Sequence, residues 1–287
     1  MAMVTLINID GSSPRPVGSQ IGVACNGQSI GMITGGCAEK AIVAEALACL
    51  KNRTNKIIRY GEGSPYLDIV LPCGSGIDLF IETKNAKEIV KAAHIAMKAR
   101  KTTHLQINQE TLSSTIIEKP DSATKQFTKR FEPIFRLAVF GEGTNLITFS
   151  VIAKAAGYKV DTYSNDHDAL LYLKDHDIDG IKINHNTDFS NFAFDAFTGV
   201  ITLFHEHEWE TAILHAALNS PAAYIGALGS RHTHATRLAL LNKLPPSTQS
   251  VSCISGPIGL DIGAQTPHEI AISILAEITA RRRHKAS

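Results

Sequence analysis

Leu137-Ala138-Val139-Phe140-Gly141-Glu142-Gly143-Thr144-Asn145-Leu146 is the stretch that decides the fold. Four apolar residues suit a buried strand, two glycines one residue apart turn the chain sharply, and an apolar-periodic segment continues as a helix through Ala156. Gly157 reads as the stop of that helix and Lys159 to Tyr163 as the next strand. Strand, glycine turn, helix, strand is the order a parallel sheet requires, because parallel neighbours need a crossover. Two further units follow. Val200 to Phe204 enters a helix from Glu208 to Leu218, and Tyr224 to Leu228 enters one from Arg231 to Leu241. Thr266-Pro267-His268-Glu269 combines a Thr cap, a proline at the first helical position and a Glu at the third, which starts the last helix. Residues 134–287 are therefore expected to form a Rossmann-like doubly wound parallel sheet.

Upstream, Lys119-Pro120-Asp121 and the polar residues to Arg130 show no apolar period, and a linker is expected across 119–133. Residues 1–118 alternate strands and helices as a mixed α/β domain. Val4 to Ile9, Ile21 to Cys25, Lys56 to Tyr60, Ile77 to Glu82 and His104 to Ile107 read as strands, with helices at Ala38 to Lys51 and Ala86 to Lys101.

Two domains suit a chain of 287 residues. A formal net charge of +1 with no extended basic block argues against nucleic acid as a partner. No long apolar run or signal-peptide pattern points to a membrane, so the expected compartment is the cytoplasm. The five cysteines, Cys25, Cys37, Cys49, Cys73 and Cys253, are odd in number and widely scattered, as thiols are and disulfide frameworks are not. Cys25, Cys49 and Cys253 fall in apolar patterns and are expected to be buried fillers.

The chemistry-bearing candidates gather in loops. Gly11 to Gly18 forms a rigid turn presenting Arg15, whose planar fork suits a phosphate or carboxylate. Thr34-Gly35-Gly36-Cys37 lets backbone approach a ligand and sets Cys37 at a helix start, where thiolate is favoured. Cys73-Gly74 lies in a second glycine-rich loop. In the second half, Gly141, Gly143, Gly229, Arg231 and Asp261 are expected at the carboxyl edge of the sheet, outlining one crevice. His205 and His207 fall on one face of a strand end, where a pair of imidazoles could grip a divalent metal, although no third ligand stands at a diagnostic spacing. Against a working NAD(P) site stand Leu146 at the sixth fingerprint position and Ser164-Asn165 where a ribose-binding carboxylate is expected.

GSSPRPVG at 11–18, GMITGGCAEKAIVAEAL at 31–47, CGSG at 73–76, VFGEGTN at 139–145, YIGALGSR at 224–231 and GPIGLDIGAQTPHEIAISILAEI at 256–278 resemble the XdhC/CoxI family. That resemblance implies an accessory protein of xanthine dehydrogenase that binds the molybdenum cofactor (molybdopterin), supports its sulfuration and delivers it. The implied partners are an apo xanthine-dehydrogenase-type enzyme and a cysteine desulfurase, with a homodimer left open. His205-Glu206-His207 is similar to an HDH-like segment of the family. Relatives commonly have a helix ahead of the first strand, so a shortened start is also expected. The alternative from another class is an NAD(P)-dependent oxidoreductase working from the second domain, and a third is a purely structural interaction module.

Overall fold

The computed structural model describes residues 1–65, 76–121, 126–184, 186–204 and 209–284. Two compact units divide the chain between Pro133 and Ile134. Among the described residues no helix is long and apolar enough to cross a membrane.

The first unit is built on β1 (Ala2–Asp10), buried on both faces over most of its length. With β2 (Gln20–Val23), β3 (Ser29–Gly31), β4 (Lys56–Gly61) and β5 (Gly76–Glu82) it forms an antiparallel sheet in the order β3-β2-β1-β5-β4. Ala2, Val4 and Leu6 point to one face, which is covered by α1 (Glu39–Asn52) through Ile42, Ala46 and Cys49. Met3 and Ile7 point to the other, toward α2 (Ala86–Lys98) and β6 (Thr103–Asn108). A register shift between Leu6 and Asn8 reverses the alternation, so Ile9 also packs on the α1 side.

A second, three-stranded sheet contains β6, β7 (Ser113–Ile117) and β8 (Phe127–Phe131) in the order β7-β6-β8. The linker expected across 119–133 is thus corrected, since β8 pairs antiparallel with β6 from Thr103↔Phe131 to Ile107↔Phe127. Its signal is two phenylalanines at the strand's ends, both packed on the α2 core, around a polar centre that reads as loop. Lys129 is engaged as well, donating from Nζ to the Gly18 carbonyl at 2.6 Å, and burial pushes its ammonium pKa down.

The second unit is the expected doubly wound sheet. β9 (Arg136–Gly141), α3 (Gly143–Ala155), β10 (Lys159–Ser164), α4 (His167–Asp175), β11 (Gly180–Lys182), β12 (Thr198–Leu203), α5 (Glu210–Leu218), β13 (Tyr224–Ala227), α6 (Arg231–Leu241) and α7 (Pro267–His284) follow in chain order. All five strands are parallel, ordered β11-β10-β9-β12-β13, so the order reverses between β9 and β12. Alternation along β9 sends Leu137 and Val139 into the core under α3 and α7, and Ala138 and Phe140 into the core under α5 and α6. Leu146 is fully buried in the first of these, where it packs instead of leaving the small-residue gap of a dinucleotide fingerprint.

The helix ends follow their sequence signals. Gly157 takes φ +87, and the amides of Gly157 and Tyr158 close on Lys154 and Ala153 carbonyls at 2.9 and 3.1 Å. At α7, Glu269 accepts from the Gln265 and Thr266 amides, both at 2.9 Å, while Thr266 Oγ1 accepts from Glu269 N at 3.3 Å. Buried Glu277 farther along α7 accepts from Tyr224 Oη at 2.8 Å, Gly259 N at 2.7 Å, Arg281 at 2.9 Å and the Ser255 hydroxyl. This carboxylate fastens the loop after Ser255 to the sheet, and burial with the neighbouring Glu277 raises the Tyr224 phenol above its ordinary range.

Candidate functional site

Strand directions gather three loops of the first unit. β3 and β4 both run parallel to β1, because each is antiparallel to a strand that is itself antiparallel to β1. The segment after β1 carrying Arg15, the segment after β3 carrying Gly35, Gly36 and Cys37, and the segment joining β4 to β5 therefore leave toward one end of the sheet. Asp10 at the end of β1 pairs in register with Gly76 at the start of β5. Cys73 and Gly74 precede that position and lie outside the described residues.

This end is pinned by a cluster that sequence reading missed. Arg59 on β4 donates from Nη1 to both Asp78 oxygens at 3.0 Å, from Nε to the Glu62 carbonyl at 2.8 Å, and from Nη2 to Asp10. Asn8 adds a bond to Asp78 at 3.0 Å. The Arg59 and Asn8 hydrogen bonds hold the Asp10 carboxyl below its ordinary pKa. No spacing in the sequence announces this cluster, because its members meet only through cross-strand register.

The glycine loop is shaped by Glu39 in the first turn of α1. Its carboxylate accepts from the amides of Ile33 at 3.1 Å, Thr34 at 2.7 Å and Gly36 at 2.8 Å, and from the Thr34 hydroxyl. Thr34 Oγ1 in turn accepts from Ala38 N at 2.9 Å. Burial pushes the Glu39 pKa up, but these hydrogen bonds outweigh it and leave the group below its ordinary value. Gly35 and Gly36 take φ +75 and +113, which a side chain would strain, and both are exposed. A Cβ on Gly35 would lie 3.5 Å from Pro14 Cγ, so the turn carrying Arg15 borders the Gly35 loop.

Two exposed side chains at this end make no side-chain bond among the described residues. Arg15 is exposed, and its guanidinium has no hydrogen-bond or ion-pair partner among the described residues. Cys37 is an exposed free thiol immediately before the Ala38 cap of α1, a helix that has no side-chain cap. The expected buried fillers divide. Cys49 is buried, and burial raises its thiol pKa, whereas Cys253 is half-buried. Cys25 is exposed, a correction whose reason is the turn between β2 and β3, closed by Gly27 N to Ala24 O at 3.0 Å.

In the second unit Gly141 ends β9 and Gly143 opens α3 beside the reversal of strand order. The turn is already tied to β10. Ser164 Oγ donates to the Gly141 carbonyl at 2.6 Å, and Gly143 N donates to Asp166 Oδ2 at 3.1 Å. Asp166 also caps α4 by accepting from Ala169 N at 3.1 Å. The carboxylate nearest the strand end is thus turned inward onto the amide that a pyrophosphate would need, and with Leu146 in the core this geometry gives no support to NAD(P). Gly229 and Arg231 follow β13 at the same edge. Arg231 Nη2 meets Asp261 Oδ2 at 3.6 Å, with the two side chains 88% and 89% exposed, so the pair is loose. His205 and His207 lie outside the described residues, and among the described residues no group of three His, Cys, Asp or Glu could hold a metal.

Residues 137–278 match the XdhC Rossmann domain and residues 1–61 the XdhC and CoxI family. The molybdenum cofactor insertion chaperone PaoD of Escherichia coli strain K12 is 32% identical, covering 99% of this chain and 84% of PaoD. A protein of Bacillus subtilis strain 168, named as a probable subunit of xanthine dehydrogenase, is 26% identical, covering 99% of this chain and 94% of its own length. A solved structure described as a xanthine dehydrogenase of Bacillus halodurans superposes with a TM-score of 0.77 at 23% identity, over 99% of this chain and 91% of that one.

Proposed function

The chain belongs to the XdhC and CoxI family, and from that premise we propose that it binds the molybdenum cofactor as cargo in the cytoplasm and delivers it to an apo molybdenum hydroxylase of the xanthine dehydrogenase type. In this reading the cofactor stays bound while a cysteine desulfurase supplies its terminal sulfur. The observation that carries the assignment is the exposed Arg15, whose guanidinium has no partner among the described residues, on a turn whose Pro14 borders the exposed backbone of the Gly35–Gly36 loop. A phosphate suits the free guanidinium, a flat pterin suits bare glycine backbone, and a sulfur-held metal is compatible with the Cys37 thiol. Cys73 and Gly74 belong to the same proposal by their place in the chain. At the carboxyl edge of the second unit, Gly141, Gly143, Gly229, Arg231 and Asp261 are the secondary candidates, and His205 and His207, which follow β12 in the chain, are the candidate metal ligands.

The test is anaerobic purification from a host that makes the cofactor, followed by molybdenum analysis and fluorescence of the oxidised pterin. Near one pterin and one molybdenum per chain is expected. NAD(P)H oxidation with small carbonyl substrates by protein that carries no pterin would replace the proposal with the oxidoreductase reading.

A further inference from the structure

In β8 a lysine stands where an apolar side chain is expected. β8 pairs with β6 so that Phe127, Lys129 and Phe131 lie opposite Ile107, Leu105 and Thr103, and directly opposed residues share a face of the sheet. Leu105 and Ile107 are fully buried in the α2 core, onto which Phe127 and Phe131 also pack. Lys129 therefore takes the central core-facing position of its strand. Its ammonium has no carboxylate partner among the described residues. It lies 5.4 Å from the Phe131 ring centroid and donates to one acceptor, the Gly18 carbonyl. Burial pushes the ammonium pKa down, so the charged form is disfavoured in the folded protein and an uncharged apolar residue would suit the position better.

Gly18 is the buried foot of the turn that carries Arg15. Pro14, Arg15, Pro16 and Val17 are exposed, whereas Gly18 is buried, its amide donating to the Leu6 carbonyl at 2.7 Å and its carbonyl held by Lys129. The lysine stem lies along it as well, since a Cβ on Gly18 would meet Nζ, Cγ and Cδ at 3.6, 3.7 and 3.8 Å. The hydrogen bonds of the exposed part are all local. Arg15 N donates to Ser13 Oγ at 3.4 Å, and the Pro16 carbonyl accepts from the Ser19 amide at 3.1 Å and its hydroxyl at 2.7 Å. We propose that Lys129 is a positioning residue for Arg15, clamping the Gly18 end of the turn from a second sheet so that the guanidinium meets the cargo from a fixed base. This inference rests on the cargo reading above. It explains why a core-facing position keeps a cation that spends its charge on one backbone carbonyl.

Lys129→Met in the full chain tests this. An unbranched apolar side chain suits the slot beside Leu105 but cannot donate to Gly18. Exchange of the hydrogen-bonded Gly18 and Ser19 amides should speed about tenfold, while the β6 amides and the urea unfolding midpoint stay in place, because a released turn lets water reach the Gly18 carbonyl. Purified anaerobically from a cofactor-producing host, this variant should carry measurably less pterin than wild type. Lys129→Arg, which keeps a cationic donor, should restore both the pterin and the slow exchange. Unchanged exchange at Gly18 and Ser19 in Lys129→Met would overturn the proposal, as would faster exchange with pterin equal to wild type. So would an unfolding midpoint that falls together with the pterin, since Lys129 would then serve the fold as a whole. Wild-type protein without pterin would fail the cargo reading alone, and exchange at Gly18 and Ser19 would still decide whether Lys129 fixes the turn.

Discussion

In the first unit Glu39 closes the Thr34–Gly36 loop with three amides and a hydroxyl, whereas in the second Asp166 reaches the Gly141–Gly143 turn through one amide and uses its other oxygen to cap α4. Both turns read as anion cradles, and both already hold a carboxylate of the chain. The difference lies in what stands beside them. Arg15 and Cys37 flank the first cradle with no partner of their own among the described residues, while Arg231 at the second edge is loosely matched by Asp261. A glycine turn therefore reports backbone geometry, and ligand chemistry has to be read from the side chains left over once the turn has satisfied itself.

The comparison breaks most sharply at Glu39. Glu39→Ala strips several charge-assisted hydrogen bonds at once and should cost about 3 kcal/mol, read by urea unfolding. Because the folded pKa lies below the ordinary value of 4.5, the contribution is fully present above that pH and lost as pH falls through the folded pKa. The gap between wild type and Glu39→Gln should accordingly be widest near neutrality and close in acid. An equal gap at every pH would remove the carboxylate from the account. Asp166→Ala should cost less, about 1 kcal/mol, as loss of a helix cap does. Its cofactor content should match wild type, and a fall in pterin would move the cargo to the second unit.

Thiol mapping sharpens the same contrast with no change in stability expected. Iodoacetamide at neutral pH should label the exposed Cys37 and Cys25 and spare buried Cys49 in the folded protein. Bound cofactor should protect Cys37 and leave Cys25 reactive, since Cys25 sits in the hairpin turn between β2 and β3. Equal protection of both thiols would argue against a site at Cys37.

Much of this fold was legible. The parallel sheet, the Gly157 stop and the Thr266–Glu269 cap each follow from local patterns whose physics acts within a few residues. β8 was not, because Thr128, Lys129 and Arg130 give a strand no alternation until the α2 core receives Phe127 and Phe131. β3 and β11 are three residues each, too short for any period to show. Cys25 was misread for a related reason, its apolar neighbours belonging to a strand that ends two residues earlier. At the site, Arg15, Gly35, Gly36 and Cys37 were visible as residue types, but the carboxylates that shape it were not. Asp10, Asp78 and Arg59 are brought together by strand register, and Glu39 reads as an ordinary first-turn acid until the loop folds back over it.

The central claim is that the free guanidinium of Arg15 holds the cargo, and the pterin content of Arg15→Lys protein tests it most directly. An ammonium keeps the charge but cannot form the paired hydrogen bonds of a guanidinium, a loss of about 1–2 kcal/mol. Purified anaerobically beside wild type from a cofactor-producing host, this variant should fold normally, bind the cofactor about tenfold more weakly and carry measurably less pterin. Retention equal to wild type would contradict the account and return Arg15 to an incidental charge on a surface turn.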